Sequence, residues 1–144
     1  IAQQLALYVV IYSPIQMAAD LIENYEGNPA FQFIKDVGVD WQQTKVLNGE
    51  VGDFVTIARK ERASEKWFVG GITDGNAREM VLDFSFLSPE TTYEAIIYED
   101  GIDADWDKNP TSVNIKKQEI TNKSILKMKL APGGGFAISL KPIN

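Results

Sequence analysis

Apolar residues surround most of a helix predicted at the start of the chain. Within residues 1–12, nearly every position from Leu5 to Ile11 is apolar. A helix that is apolar on most sides is buried on most sides. No capping residue precedes this pattern, so we expect further residues upstream of Ile1 in a longer protein. The β-branched residues of this stretch would also suit an N-terminal strand.

The pattern between this helix and residue 43 predicts a short α/β unit. Pro14 ends the first helix, because the residue before a proline disfavours helical geometry. Residues 15–18 then form a candidate strand that places Asp20 at its C-terminal end, and a loop follows over residues 23–27. Asn28 and the proline after it mark the start of another helix, which Gly38 ends. Such a unit cannot bury its own apolar faces.

From residue 44 onward the apolar period changes from 3.6 to 2, which indicates strands. The alternation is clearest in Met80/Leu82/Phe84/Phe86 and in Phe136/Ile138/Leu140. Short strands separated by Gly, Pro, Asn and Asp turns are typical of an antiparallel β-sandwich. We therefore predict an α+β chain with a division into residues 1–43 and 44–144. The predicted strands are 54–60, 67–73, 78–86, 93–100, 112–117, 124–130 and 135–141, with Val46-Leu47 as a possible addition.

Composition excludes several classes of function. The formal charge is −6, and the sequence lacks the basic patch that nucleic-acid binding requires. No apolar run has the length of a membrane span. The absence of cysteine and histidine rules out thiolate nucleophiles, imidazole bases and Cys or His zinc sites in this chain. Any chemistry here would use carboxylates, Lys, Tyr or a metal held by oxygen ligands.

The stretch QQLALYVVIYSPIQMAADLIENYEGNP resembles the end of the catalytic barrel in glycoside hydrolase family 97, a group of bacterial α-glucosidases and α-galactosidases. The pattern W-x-x-T-x-x-L-x-G-x-x-G-D from Trp41 to Asp53, the segment ARKER and the closing LAPGGGFAISLKP fit the same family. The resemblance covers essentially the whole chain in order. It implies that residues 1–43 are the last helices and strand of a (β/α)₈ barrel, and that residues 44–144 are a β-domain that supports it.

The resemblance also implies what the longer protein, here called the parent enzyme, does. It would hydrolyse α-linked glucosides or galactosides, with retention or inversion, after export to the periplasm or secretion by a bacterium. The family's calcium ligands and catalytic glutamates lie upstream of this region, so neither set maps onto this chain. We therefore expect calcium in the parent enzyme, no catalytic or metal-binding residue here, and no activity of the chain alone. Its partners would be the upstream barrel, an N-terminal β-sandwich and an oligosaccharide substrate.

Four residues are candidate site residues. If residues 15–18 are the last barrel strand, Asp20, Glu23 and Asn24 lie at the mouth of the barrel, where substrate binds. Alternatively, Asp20 caps a turn and Glu23 is a solvated loop residue. Trp106 lies among aspartates in a predicted loop and is the best candidate for stacking on a sugar.

Other conspicuous residues are expected to be structural. Asp103, Asp105 and Asp107 begin like a calcium loop, but Lys108 stands where that loop needs glycine. We expect a solvated acidic turn there. Trp41 and Trp67 are expected to pack between the β-domain and the barrel, and the three consecutive glycines at 133–135 to form a hairpin turn rather than a phosphate loop.

Two functions therefore remain open at this point. The chain is either the C-terminal part of an α-glycosidase or an independent carbohydrate-binding or structural β-sandwich module. The apolar segment before residue 44 favours the first, because it needs a larger α/β body to cover it.

Overall fold

A computed structural model describes residues 1–143 and shows a mainly antiparallel β-structure with three short helices. The predicted antiparallel β-domain is confirmed. Six strands form one sheet in the order β1-β2-β3-β8-β5-β6, and β4 pairs with β7 in a second sheet. The strands are β1 Trp41–Glu50, β2 Phe54–Glu61, β3 Trp67–Thr73, β4 Arg78–Asp83, β5 Tyr93–Asp100, β6 Val113–Ile120, β7 Ile125–Leu130 and β8 Gly135–Pro142.

The observed strand bounds agree best with the predicted ones where most of the strand is buried. Strands β3 and β5 have the predicted bounds. Strand β4 ends at Asp83 rather than at residue 86, although Phe84 stays buried beyond the strand. The exception is β1, of which the sequence suggested only Val46-Leu47. Most of its ten residues are exposed, because it forms an edge of the sheet, so it lacks an apolar alternation.

The three helices precede the strands. Helix α1 (Ala2–Val10) confirms the first predicted helix. Helix α3 (Phe31–Asp36) begins three residues after Asn28, whose Oδ1 accepts a hydrogen bond from the Ala30 amide at 3.0 Å. One expectation is wrong, because the predicted loop at 23–27 overlaps helix α2 (Ile22–Tyr25). Residues 15–18 form no strand among the described residues, so a barrel strand at this position stays a prediction.

The smaller sheet covers one face of the larger one, and we call this covered side the sandwich face. Its core contains large residues from both sheets. Leu82 and Leu130 come from the small sheet, whereas Val69, Ile97 and Ile138 come from the large one. Trp67 belongs to this core and lies beside Phe86, with ring centroids 4.9 Å apart and ring planes tilted by 59°. The expectation that Trp67 packs against a barrel is therefore wrong, because its strand position points it between the two sheets.

Helix α1 packs on the opposite face of the large sheet, which we call the helix face. A Cβ on Gly70 would lie 2.7 Å from the Ala6 carbonyl oxygen, and one on Gly135 would lie 2.9 Å from the Gln3 Cα. Side chains at these positions would therefore push the helix off the sheet. The resulting second core contains Leu5, Val9, Ala30, Phe33, Trp41, Phe68, Tyr98 and Ala137. No helix of residues 1–143 is both long and apolar enough to cross a bilayer.

Candidate functional site

The structure brings two of the predicted substrate-facing residues together. Asp20 Oδ1 accepts hydrogen bonds from the Asn24 Nδ2 and from the Leu21 amide, each at 2.7 Å. These bonds, that from Asn24 first, lower the pKa of Asp20 below its ordinary value. Glu23 lies on α2, and all three side chains are exposed. Asp20 is thus a charged acceptor at the start of a helix rather than a general acid, which would need a raised pKa.

Asp20 and Asn24 line an open cleft of about 660 Å³ beside α1. Hydrogen bonds of Tyr8 and Gln16 hold the segment around Met17, which forms one wall of the cleft, against the helix. The Tyr8 hydroxyl donates to the Met17 carbonyl at 3.0 Å, and the Gln16 Nε2 donates to the Tyr8 carbonyl at 3.4 Å. The cleft therefore combines apolar walls with a few polar groups, as small-molecule sites do.

An exposed apolar surface continues from this cleft. Six large apolar side chains between residues 11 and 22 are each 57–79% exposed. Ile11 and Met17 also line the cleft, and large apolar side chains that are exposed together mark a surface that contacts something else. The six are Ile11, Tyr12, Ile15, Met17, Leu21 and Ile22.

The acidic loop after β5 is organised by its own carboxylates. Asp105 Oδ1 accepts the amides of Asp107 and Lys108 at 3.0 and 2.9 Å. Asp103 accepts the Asn109 Nδ2 at 2.8 Å and the Ser112 hydroxyl at 2.5 Å. These hydrogen bonds lower the pKa of both Asp103 and Asp105. The carboxylates are thus engaged in forming the turn, and within residues 1–143 no three acidic, His or Cys side chains cluster as metal ligands.

Trp106 lies on this loop with 67% of its surface exposed. Its side chain lies against the turn at Gly133, because a Cβ added to Gly133 would be 3.4 Å from the Trp106 Cβ. An adjoining cleft of about 220 Å³ offers polar groups from Gln3, Gln4 and Asn109. The exposed indole and these neighbours are the features that stacking on a sugar ring would require. Trp41, by contrast, is buried on the helix face beside Phe68.

Asp100 is a half-buried carboxylate that the sequence did not single out. Its Oδ2 accepts the amides of Ala131 and Gly135 at 3.0 and 2.9 Å and so holds the glycine turn that precedes β8. Burial raises the pKa of Asp100, and these two hydrogen bonds offset the rise only in part. An Asp followed by Gly reads as an ordinary turn, so no local signal points to this contact over 31 residues.

Arg59 is a second residue that the sequence did not reveal. It is 6% exposed, on β2, and its Nε donates to the Val9 carbonyl at 2.6 Å. Its Nη2 lies 3.4 Å from the Val10 carbonyl, and its Nη1 donates to the Thr44 hydroxyl at 2.9 Å. The negative end of the α1 dipole therefore stabilises the guanidinium. Burial lowers the pKa of Arg59, but a guanidinium remains charged.

Comparison with known proteins identifies the region. Residues 40–141 match the family model described as glycosyl-hydrolase 97 C-terminal, oligomerisation. The chain belongs to glycoside hydrolase family 97. The resemblance drawn from the sequence is thereby confirmed, and the strand β1 that begins at Trp41 coincides with the start of the matched region. The division into residues 1–43 and 44–144 stays a prediction.

Individual relatives agree with this family. The chain is 41% identical over 143 residues to a retaining alpha-galactosidase of Bacteroides thetaiotaomicron, covering 96% of this chain and 20% of that protein. It is 34% identical over 77 residues to a probable retaining alpha-galactosidase of Streptomyces bingchenggensis, covering 53% of this chain and 12% of that protein. A family 97 enzyme of Pseudoalteromonas sp. strain K8, solved in complex with acarbose, superposes with a TM-score of 0.96 at 49% identity.

This chain corresponds to only a part of each of these relatives. The superposition on the Pseudoalteromonas enzyme covers 99% of this chain but 22% of that enzyme, and the match to the Bacteroides enzyme covers about one fifth of that protein. The activity of the relatives therefore belongs to proteins of which this chain matches the C-terminal part. The three residues predicted near a substrate and Trp106 stay predictions.

Proposed function

We propose that this chain is the C-terminal part of an α-glycosidase that hydrolyses α-linked galactosides or glucosides. The main support for this proposal is the match over 96% of the chain to a retaining alpha-galactosidase. The β-domain supports the catalytic body, and the catalytic carboxylates belong to the upstream part. The chain itself offers no histidine or cysteine. Its exposed Asp20 has a lowered pKa, which does not suit a general acid.

The test is hydrolysis by the parent enzyme. Purified parent enzyme is incubated with p-nitrophenyl α-galactoside and α-glucoside, with the β-anomers as controls. Release of nitrophenol from one α-anomer at a rate well above the β-anomers is expected. NMR of the first sugar product distinguishes retention from inversion. Equal and negligible hydrolysis of all four substrates would contradict the proposal.

We further propose that residues 1–43 complete a (β/α)₈ barrel in the parent enzyme. Two observations support this. Helices α1 and α3 contribute to the core on the helix face, and the six apolar side chains between residues 11 and 22 are exposed. Residues 15–18 have no partner strand among residues 1–143, and a single strand is not stable without neighbours. In the parent enzyme, neighbouring barrel strands would pair with them, and hydrogen exchange of these amides would be slow.

Asp20, Glu23 and Asn24 would then lie at the mouth of that barrel. Asp20 and Asn24 already share a hydrogen bond and a cleft, which supports a joint role in hydrogen bonding to sugar hydroxyls. The lowered pKa keeps Asp20 an acceptor at neutral pH. We assign these residues to substrate positioning rather than to proton transfer.

A second function, carbohydrate binding by the β-domain, is favoured by the exposure of Trp106. The ring is 67% exposed on a loop that Asp103 and Asp105 hold in place. A fixed aromatic face can stack on a sugar at low entropic cost. Such a surface would hold long substrates near the enzyme without taking part in hydrolysis.

Assembly, calcium and location complete the proposal for the parent enzyme. The matched family model is described as an oligomerisation region, so we propose that the parent enzyme associates with further copies. Light scattering would measure its mass.

Calcium would bind to upstream ligands, because Asp103 and Asp105 of the acidic loop accept hydrogen bonds from groups within that loop. Export to the periplasm or secretion is proposed from the family alone, and cell fractionation tests it.

A further inference from the structure

An uncovered apolar patch lies beside α1 on the helix face of the large sheet. We define it by Val46, Val55, Ile57 and Ile72. Val46 is opposite Ile57 in the register of β1 and β2, and Val55 is opposite Ile72 in that of β2 and β3. Residues opposite each other in antiparallel strands point to the same face. All four side chains therefore lie on one side of the sheet.

That side is the one that α1 covers. Gly70, opposite Ile57, is in contact with Ala6 and Val9 of the helix. Arg59, two residues after Ile57, donates to the Val9 carbonyl. The patch is thus the part of the helix face that α1 and α3 leave open. Val46 is 66% exposed, and the other three side chains are half-buried.

The shape of the patch fits a helix. It spans three adjacent strands, β1, β2 and β3, and two inter-strand spacings amount to about 9–10 Å. Packed helices are separated by about 8–10 Å, so the patch has room for one helix alongside α1. A cleft of about 550 Å³ at the end of the patch is lined by Val46, Val55 and Ile72 together with Val51, which is fully exposed.

The position of α1 indicates where the occupant comes from. The helix begins over Gly135, which is directly opposite Ile72 in the register of β3 and β8. The Ile1 amine donates to the Pro110 carbonyl at 2.8 Å, in the loop after β5. A chain that enters α1 from upstream therefore arrives on the same face of the sheet as the patch. Roughly four fifths of the length of the solved and curated relatives lies outside the matched part. On the sandwich face, by contrast, β4 and β7 already cover the core.

We infer that a helix from the residues upstream of Ile1 packs on this patch, next to α1 in the parent enzyme. The inference rests on the proposed function, in which this chain is the C-terminal part of a longer enzyme. Acidic residues surround the open end of the patch. Glu50 is the last residue of β1, and Asp53, in the turn that follows, pairs with Arg78 at 3.3 Å. The upstream helix is therefore expected to carry basic residues at that end.

Cysteine labelling of the parent enzyme tests the inference. Val46→Cys introduces a thiol into the patch, and Val81→Cys is the matched control. Val81 is 54% exposed on β4, and its neighbours along that strand, Met80 and Leu82, point into the sandwich core. Both variants replace an exposed strand valine, so neither is expected to prevent folding. This chain has no cysteine of its own, and peptide mapping by mass spectrometry assigns each label to its site.

We expect iodoacetamide to label Val81→Cys at least about tenfold faster than Val46→Cys. The rates are measured at a dilution where light scattering gives the mass of a monomer. Equal labelling of the two variants would overturn the inference. Protection of Val46→Cys only in the oligomer would also overturn it, because the patch would then bind a second copy. Labelling does not depend on turnover, so its failure is distinguishable from a failure to hydrolyse α-glycosides.

Discussion

The Nε of Arg59 lies 2.6 Å from the carbonyl oxygen of Val9, so a buried guanidinium on β2 hydrogen-bonds to the last turn of α1. The two residues are 50 positions apart. A buried charge is costly unless its donors are satisfied. Here two helix carbonyls and a threonine hydroxyl satisfy them, and the rings of Tyr12 and Trp41 lie about 6 Å away. Arg59 therefore determines how the helical segment sits on the β-domain.

Replacing Arg59 by methionine is expected to lower the free energy of unfolding by about 2–3 kcal/mol. The variant leaves the carbonyls of Val9 and Val10 without their charged donor, and such hydrogen bonds contribute about 1.5–3 kcal/mol. Arg62→Met is the matched control, because Arg62 is 60% exposed and pairs with an exposed Asp40. Its effect should stay below about 1 kcal/mol. Equal urea midpoints for the two variants would argue against a special role for Arg59.

Gly70→Ala is expected to destabilise the protein by about 1–3 kcal/mol, the range for overpacking a tight contact. The new Cβ would meet the Ala6 carbonyl oxygen at 2.7 Å and the Val9 Cβ at 2.9 Å. Gly75→Ala is the control, since no atom lies within 4 Å of its Cβ. Thermal unfolding followed by circular dichroism compares the two. An unchanged melting temperature for Gly70→Ala would show that α1 does not lie this close to β3.

The pH dependence of stability should report on Asp100. Burial raises its pKa above the ordinary value of 3.8, so at pH values between the two the folded protein binds more protons than the unfolded chain. Its contribution to stability is therefore complete below about pH 3.8 and is lost as the pH rises through the folded pKa. Asn at this position keeps an acceptor oxygen but cannot ionise.

We therefore expect the stability of the wild type relative to Asp100→Asn to fall as the pH rises above about 4. Urea unfolding of both proteins at a series of pH values from about 4 upward measures this difference in the free energy of unfolding. The contributions of the other carboxylates cancel in the difference. Asp100→Ala should cost about 1–3 kcal/mol at every pH, because the amides of Ala131 and Gly135 lose their acceptor. A pH-independent difference between wild type and Asp100→Asn would show that Asp100 does not titrate as a buried group.

Asp20→Asn and Glu23→Gln in the parent enzyme are expected to lower kcat/KM for its α-glycoside. Loss of one charged hydrogen bond to a sugar hydroxyl, about 1.5–3 kcal/mol, corresponds to about 10- to 150-fold. Glu119→Gln, an exposed residue of β6, serves as the control and should leave kcat/KM unchanged. Should both Asp20→Asn and Glu23→Gln retain wild-type kcat/KM, these residues do not contact the substrate.

Trp106→Ala is expected to weaken glycan binding by the protein, by about fivefold if the ring contributes about 1 kcal/mol of stacking. Affinity electrophoresis in gels that contain starch or galactan measures the retardation. Ile102→Ala, at a fully exposed position of the same loop, is the control. If the alanine variant migrates like the wild type in every glycan gel, Trp106 is not a sugar-binding residue.

Local pattern was enough to predict some elements but not others. Strands β3 and β5 were predicted to the residue because turn residues follow each of them directly, at Asp74-Gly75 and at Gly101. Helix α2 was missed, since four residues without a buried side chain carry no periodicity. The strand predicted at 15–18 shows the opposite case. Its apolar residues suit a strand, but pairing requires a neighbouring strand that residues 1–143 do not supply.

The sequence by itself determined the family, the antiparallel character of residues 44–144 and the buried first helix, because these depend on residue order and apolar period. Only the tertiary structure decided that Trp67 lies between the sheets, that Asp100 holds the turn before β8, and that Arg59 hydrogen-bonds to α1. These contacts join residues dozens of positions apart. A side chain's partners across such a distance depend on strand order and register, which no local pattern encodes.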